Sequence, residues 1–315
     1  MKNIYSNIFS FNQKILKRTV KALNKGDLAG LPTETVYGLA GNAYSKKAIK
    51  KIYNLKKRPK KNPLIVHYYN SKMANNDVLL NDNFFKLYKK FCPGPVTFVL
   101  KRNKKSKINS LATANLSTVA IRFPNHWIIR SILKYLSFPL AMPSANLSSR
   151  LSAVSASDVF EEFKNKINII IDGGKSKFGI ESTVIDLTKK PKILRPGIID
   201  SNKIKKLIKI NFSKKNSKIK SPGMLRKHYS PGIPVILNKK PNNIRYAHII
   251  FGKKYKNKKN TFNLSKKADL KEAASNLYKT MRIIKKKGYK KIFVTKIPNV
   301  GCGIAINDRL LRASK

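Results

Sequence analysis

The chain has 315 residues, with 68 Lys and Arg against 14 Asp and Glu, a formal net charge of +54, and 42% hydrophobic residues. That length suggests two domains with packed cores, and no apolar run approaches the ~18 residues of a spanning helix, which excludes a membrane protein of that kind. The amino-terminal MKNIYSNIFSFNQKILKR lacks the core and cleavage site of a secretion signal, and the two cysteines, Cys92 and Cys302, have no metal-ligand spacing, so a reduced cytoplasmic setting is expected. The charge suits phosphate-bearing partners such as ATP or RNA. Asn and Ile are also abundant, however, and lysine spread everywhere by a biased genome explains the charge as well, so charge alone is no sign of RNA binding.

Residues 15–23 read as an opening helix, stopped by Gly26. A short apolar approach, 28–31, breaks into the polar turn PTET. The stripe Ala48, Ile49, Ile52 and Tyr53 predicts a helix resting on a sheet. Pro59 ends it, because the residue before proline avoids helical backbone. A strand, 64–68, follows. Thr33, Glu34, Thr35, Tyr37, Lys56, Arg58, Asn62 and His67 can then converge on one cleft. Lys56 and Arg58 beside a stiff proline suit a polyphosphate, since Arg offers forked donors and Lys a point charge. His67, at the end of an apolar run, fits either a ligand or a core histidine.

Further helices are expected over 83–91 and 126–136, and strands over 96–100 and 118–123, the last carrying Arg122. Arg122 at a strand end suits a carboxylate. Residues 139–146, PLAMPSAN, read as a strand running into a polar turn that holds Ser144 and Asn146. A helix over 155–167, capped by Ser155 or Ser157, precedes strands at 167–172, 182–187 and 192–194. This alternation predicts an α/β domain with a twisted mixed sheet over residues 1–210. Composition then shifts to a proline-rich linker, 211–232. A smaller Rossmann-like α/β domain, 233–315, is expected from strands at 234–237, 247–251, 261–264 and 291–295 and a helix over 270–284. Neither a Ser-His-Asp or Cys-His nucleophile pattern nor a Walker motif is present, so covalent catalysis and P-loop chemistry are not expected.

PTETVYGL followed by KKRPKKNPLIVH resembles the core of the YrdC/Sua5 family, the threonylcarbamoyl-adenylate synthases. Residues 233–315, ending in GCGIAINDRLLRA, resemble the carboxy-terminal domain of its longer, Sua5-type members. The resemblance implies a nucleotidyltransferase that joins L-threonine, bicarbonate or CO2, and ATP into threonylcarbamoyl-AMP, releasing pyrophosphate. The product would serve N6-threonylcarbamoylation of position 37 in tRNA through a separate downstream transferase. Direct tRNA contact stays open. By the same resemblance, Thr35, His67, Arg122, Ser182 and Met142, the last through its backbone, would bind threonine. Lys56, Arg58, Asn62, Thr118, Ser144, Ser152 and Arg195 would bind the nucleotide, with Lys56 and Arg58 catalytic, while Asn146 orders its turn. Mg2+ is expected on the phosphates, with no metal ligand supplied by the chain. The linker segment SPGMLRKHYSP resembles family linkers whose tyrosine, here Tyr229, reaches the nucleotide; a lid and a linker packed for structural reasons are both open. The chain departs from the family pattern at Ser149, where glycine is usual, and at Met142, where a small residue is common. A non-catalytic double-stranded RNA or tRNA-binding module of the same fold is the alternative; Thr35, Arg122 and Ser182 count against it. A hydrogenase-maturation carbamoyltransferase would need zinc-finger cysteines that two cysteines cannot supply.

Overall fold

The computed structural model describes residues 7–213, 228–241, 244–255 and 258–315. Helices begin where Asn, Ser or Asp accepts from an otherwise unpaired backbone N–H. Asn12 caps α1 (Gln13–Asn24) through Ile15 N, and Ser45 caps α2 (Lys46–Lys56) through Ala48 N. Asn70 and Asn81 do the same for α3 (Ser71–Asn75) and α4 (Asp82–Phe91). His126 precedes α5 (Trp127–Lys134), and of the two candidate serines Ser155 caps α6 (Ala156–Phe163). Asp200 caps the short α7 (Ser201–Lys205). Ala48, Ile49, Ile52 and Tyr53 are all buried, as their spacing predicts; each large apolar side chain so placed contributes about 1.5–3 kcal/mol.

Eleven strands build one mixed sheet. They are β1 (Ile8–Ser10), β2 (Ala29–Leu31), β3 (Gly38–Asn42), β4 (Ile65–His67), β5 (Val96–Lys101) and β6 (Thr118–Arg122), then β7 (Leu140–Ala141), β8 (Ile170–Asp172), β9 (Thr183–Asp186), β10 (Lys192–Arg195) and β11 (Asn211–Phe212). Their spatial order is β1-β8-β2-β3-β7-β4-β6-β5-β9-β10-β11. Successive strand residues point to opposite faces. Leu39, Val66, Ile121, Ala141, Ile170 and Ile185 accordingly join the core under α2, α4 and α6. On the other face, Leu31, Ala40, Leu140 and Ile171 meet α1 and α5. Farther along that second face, Ile65, Ala120, Val99 and Val184 form a small separate cluster. No helix of the large unit joins it, so this stretch of sheet is left to line a cleft.

A second, all-parallel sheet has the order β12-β15-β13-β14, from β12 (Val235–Leu237), β13 (Ala247–Ile250), β14 (Thr261–Asn263) and β15 (Ile292–Val294). It packs with α8 (Leu270–Lys286) and α9 (Gly303–Ala313). Its core is continuous with Val36, Leu151, Val154 and Ile180 of the larger unit. Among the described residues no helix is long and apolar enough to cross a membrane.

The α/β class with a large mixed sheet agrees with the sequence reading. The differences are local. Within 139–146, read as a strand running into a turn, the strand is only the two residues Leu140–Ala141, and Met142 to Asn146 turns to meet Gly38 and Lys56. The helix expected over 155–167 stops at Phe163, where Lys164 takes φ +50. Asn211 and Phe212, in the expected linker, pair with Lys192 and Ile193 at the sheet edge. Residues 214–227, which include Ser221 to Lys227 of the expected lid, lie outside the described residues.

Candidate active site

Strand register creates the first cluster. His67 pairs with Arg122, and Arg122 pairs in turn with Thr97, so three polar residues stand in one row across β4, β6 and β5. The period of two puts them on the face of Ile65, Ala120 and Val99. Ser182, one residue before β9, reaches the row through a 2.8 Å hydrogen bond between its hydroxyl and that of Thr97. Arg195, opposite Val184, donates to the Ser182 carbonyl from Nε at 3.1 Å and from Nη2 at 3.0 Å, and to its hydroxyl at 3.1 Å. Gly197 permits this: a Cβ there would come 2.3 Å from Thr183 N.

Arg122 is buried and already paired. Its Nη2 donates to Glu34 Oε1 at 2.8 Å, and Asn125 N donates to Glu34 Oε2 at 3.0 Å. Arg122 Nε is buried with no hydrogen-bond partner among the described residues. Burial, then Arg122, drives the His67 pKa well below its ordinary value, so the ring is neutral at pH 7. The PTET loop before β3 is shaped by Thr33, whose hydroxyl donates to Val36 O at 2.6 Å, and by Tyr37, whose hydroxyl donates to Gly174 O at 2.7 Å. Thr35 is buried, its hydroxyl 2.9 Å from that of Thr33. Met142 packs over Gly38, where a Cβ would meet its Cγ at 2.3 Å.

The second cluster gathers at the end of α2. Lys56 is fully buried, and its ammonium donates to the carbonyls of Ser144 and Asn146; burial, then Arg58, lowers its pKa well below the usual lysine value. Lys57 takes φ +50, and the chain turns so that Arg58 donates from Nε to Asn62 O at 2.9 Å and from Nη2 to Pro63 O at 2.8 Å. Burial lowers the Arg58 pKa to about 10. Both amide atoms of the Asn62 side chain are buried without a partner among the described residues.

These clusters meet in one cleft, whose lining His228 and Tyr229 of the linker complete. His67, Arg122, Met142, Ser144, Ser182, Arg58, Arg195 and Tyr229 all line it, as do Thr33, Tyr37, Glu181 and His228. Thr35, Lys56 and Asn62 lie buried behind the lining, and Ser152 donates to Glu181 from behind. Thr118 begins β6, at the opposite end of that strand from Arg122, and does not line the cleft. Tyr229 is buried at φ +64, with its hydroxyl unpartnered among the described residues. Ser230 N donates to Ser149 O at 2.8 Å, tying the linker to the loop after Asn146. Ser149 itself has φ +67, so the serine occupies a left-handed position that favours glycine. Burial pushes the His228 pKa down to about 3. The free space within this part-open cleft is about 40 Å3.

Residues 21–197 match the Sua5_yciO_yrdC family model, described as telomere recombination, and residues 199–315 match the carboxy-terminal domain of threonylcarbamoyl-AMP synthase. The chain belongs to the Sua5/YciO/YrdC family. It is 36% identical over 317 residues to the threonylcarbamoyl-AMP synthase of Pyrococcus abyssi, covering 93% of this chain and 92% of that protein. The Bacillus subtilis threonylcarbamoyl-AMP synthase is 33% identical over 327 residues, covering 97% and 94%. The crystal structure of P. abyssi Sua5 complexed with L-threonine superposes with a TM-score of 0.89 at 33% identity, covering 98% and 96% of the two chains.

Sequence reasoning named neither His228, Tyr278 nor Arg309, and gave Glu34 and Glu181 no partner. A signal was present. Arg309 falls on the apolar face of α9 with Ala305, Ile306, Leu310 and Ala313, and a charge on such a face needs a buried partner.

Proposed function

We propose that this chain is an L-threonylcarbamoyladenylate synthase, which makes threonylcarbamoyl-AMP and pyrophosphate from L-threonine, bicarbonate or CO2, and ATP. The single observation that carries the reading is the pairing of two chemistries in one cleft. A corner lined by Arg122, His67 and Ser182 adjoins the cations Arg58 and Arg195. Arg122 offers its unpartnered Nε to the threonine carboxylate while Glu34 accepts from its Nη2. Neutral His67 and the hydroxyls of Ser182 and Thr35 serve the threonine hydroxyl and nitrogen, with the Met142 backbone forming the floor. Arg58, Arg195, Ser144 and Tyr229 line the nucleotide side, with Asn62 and Ser152 buried behind them, while Thr118, at the far end of β6, stays outside the cleft. Lys56 fixes the Ser144–Asn146 turn and adds its charge beside Arg58.

In the reaction the threonine nitrogen takes up CO2 to form a carbamate. A carbamate oxygen attacks the α-phosphorus, and pyrophosphate leaves. The protein's part is alignment and neutralisation of the leaving charge. Arg58 would exchange its loop carbonyls for phosphate oxygens on binding. The free space of about 40 Å3 within the cleft lining is too small for ATP, so the His228–Tyr229 segment moves to admit it and returns to exclude water from the labile carbamate and anhydride. Mg2+ would come with the phosphates: among the described residues Glu181 is the one carboxylate lining the cleft, and its oxygens already accept three hydrogen-bonding groups. The enzyme works in the cytoplasm and hands its product to a separate threonylcarbamoyl transferase acting on tRNA, which this chain contacts directly or not at all.

Purified protein incubated with ATP, bicarbonate and threonine should release pyrophosphate and yield a threonylcarbamoyl-AMP mass. Pyrophosphate release that does not depend on threonine would sink this function.

A further inference from the structure

Glu181 lines the cleft but is held from behind by the second unit. Its Oε2 accepts from Arg309 Nε at 2.8 Å. The Tyr278 hydroxyl lies 3.1 Å from Oε2 and 3.2 Å from Oε1, and Ser152 donates to Oε1. Arg309 comes from α9 and Tyr278 from α8, so the ion pair crosses between the two units. The Arg309 side chain is 0% exposed. Its guanidinium carbon lies 5.2 Å from the centre of the Tyr229 ring, and that ring stacks on Tyr278 at 5.8 Å and 24°. Glu181, Arg309, Tyr278 and Tyr229 are therefore one packed block, of which only Glu181 and Tyr229 reach the cleft.

A carboxylate in that wall is a problem for any anion that enters. Left alone, Glu181 would repel phosphate and draw the neighbouring guanidinium of Arg195 onto itself. Burial would raise its pKa, but Arg309, then Arg195 and the hydrogen bonds, outweigh burial and hold it at about 2. The charge is therefore permanent at neutral pH, and something must absorb it. Arg309 does so from the side away from the cleft.

We propose that Arg309 is a positioning residue for the nucleotide side of the cleft: it takes up the charge of Glu181, so that Arg195 serves the anion, and it backs the ring of Tyr229 at the cleft wall. On this account the second unit completes the nucleotide site although α9 touches no ligand. The inference rests on the nucleotide reading above.

The test uses the full-length protein, with KM for ATP and for threonine measured separately. R309Q should raise the ATP KM by about 30-fold and leave the threonine KM within about threefold, because one partner of a buried charge pair is lost beside the anion site. The double variant E181Q/R309Q removes both charges and should recover about tenfold of that loss, the coupling expected of residues in direct contact. An unchanged ATP KM, equal changes in both constants, or no recovery in the double variant would overturn the proposal. Should R309Q fail to melt cooperatively, R309K takes its place: the charge stays and the fork geometry is lost, so the ATP KM should rise about fivefold with the threonine KM unchanged. Equal effects on both substrates in R309K would overturn it as well. If the wild-type protein makes no threonylcarbamoyl-AMP, the function reading fails. The rise in melting temperature on adding ATP still decides on Arg309: a smaller rise in the variant than in wild type supports it, and an equal rise overturns it.

Discussion

Two glutamate–arginine pairs are buried beside the cleft, and they face it the opposite way round. In Glu34–Arg122, at 2.8 Å and about 5% side-chain exposure each, the arginine lines the cleft and the glutamate stands behind. In Glu181–Arg309, also at 2.8 Å, the glutamate lines the cleft and the arginine stands behind. The chemistry of the two pairs is the same, and the orientation differs because different elements supply the partners. Glu34 and Arg122 both belong to the large unit, in the loop before β3 and at the end of β6, and they meet as soon as that sheet forms. Glu181 waits for α9, so its pair exists only when the second unit docks. On the proposed function, one pair presents a cation to a carboxylate substrate, and the other neutralises an anion that would repel phosphate. A buried pair is weak evidence for stability, but removing one partner is costly because it strands a charge.

The largest expected effect breaks the first pair. Arg122→Ala should raise the threonine KM by about 100-fold with little change for ATP, since a charge-assisted contact in a desolvated site is worth about 2–5 kcal/mol. The stranded Glu34 should also lower stability by about 3–5 kcal/mol in urea titrations. Parallel rises in both Michaelis constants would remove Arg122 from the carboxylate role.

Acid sharpens the comparison next. The folded pKa of Glu181 lies below its unfolded value, so its stabilisation is complete above about 4.5 and is lost as pH falls through about 2. His228 is also depressed, from 6.5 to about 3, but its neutral form is the folded one. Between those values the unfolded chain takes up the proton first, and stability falls by roughly 1.4 kcal/mol per pH unit. Melting curves of His228→Asn should therefore be flatter between pH 6.5 and 4.5, and those of Glu181→Gln flatter only below 4.5. The same pH slope in both variants and wild type would contradict these assignments.

The smallest effect comes from a third pair between the units, Lys286–Glu161, whose side chains are 61% and 33% exposed. Lys286→Ala should change stability by less than about 1 kcal/mol, because solvent screens the charges. A larger loss would mean that exposure does not separate this pair from the other two.

Much of this could be read in advance. The stripe of α2, the cap at Ser155, and the four strands and long helix of the second unit follow from period and capping, which act over a few residues. Short elements were harder. Gly38–Asn42 is a five-residue strand, GLAGN, with no alternation to mark it, and its pairing partners supply its reason to be extended. Lys56 and Arg58 were legible as a cationic turn because Pro59 stiffens the chain beside them. That both already hold backbone carbonyls was not legible, since those carbonyls belong to Ser144, Asn146, Asn62 and Pro63 in their folded positions.

By itself the sequence determined where the longer helices and strands lie and which local motif carries each charged group, because caps, periodicity and proline stiffness are properties of neighbouring residues. Ser149 shows the limit of that information: its departure from the family's glycine is visible in the chain, but its left-handed φ of +67 is visible only in the fold. The tertiary structure alone decided the sign that each buried pair shows to the cleft. That choice depends on strand register, which sets His67 beside Arg122, and on docking, which brings Arg309 to Glu181 across 128 residues of chain. Contacts at such separation leave no periodic trace, and only the closing of the two units against each other specifies them.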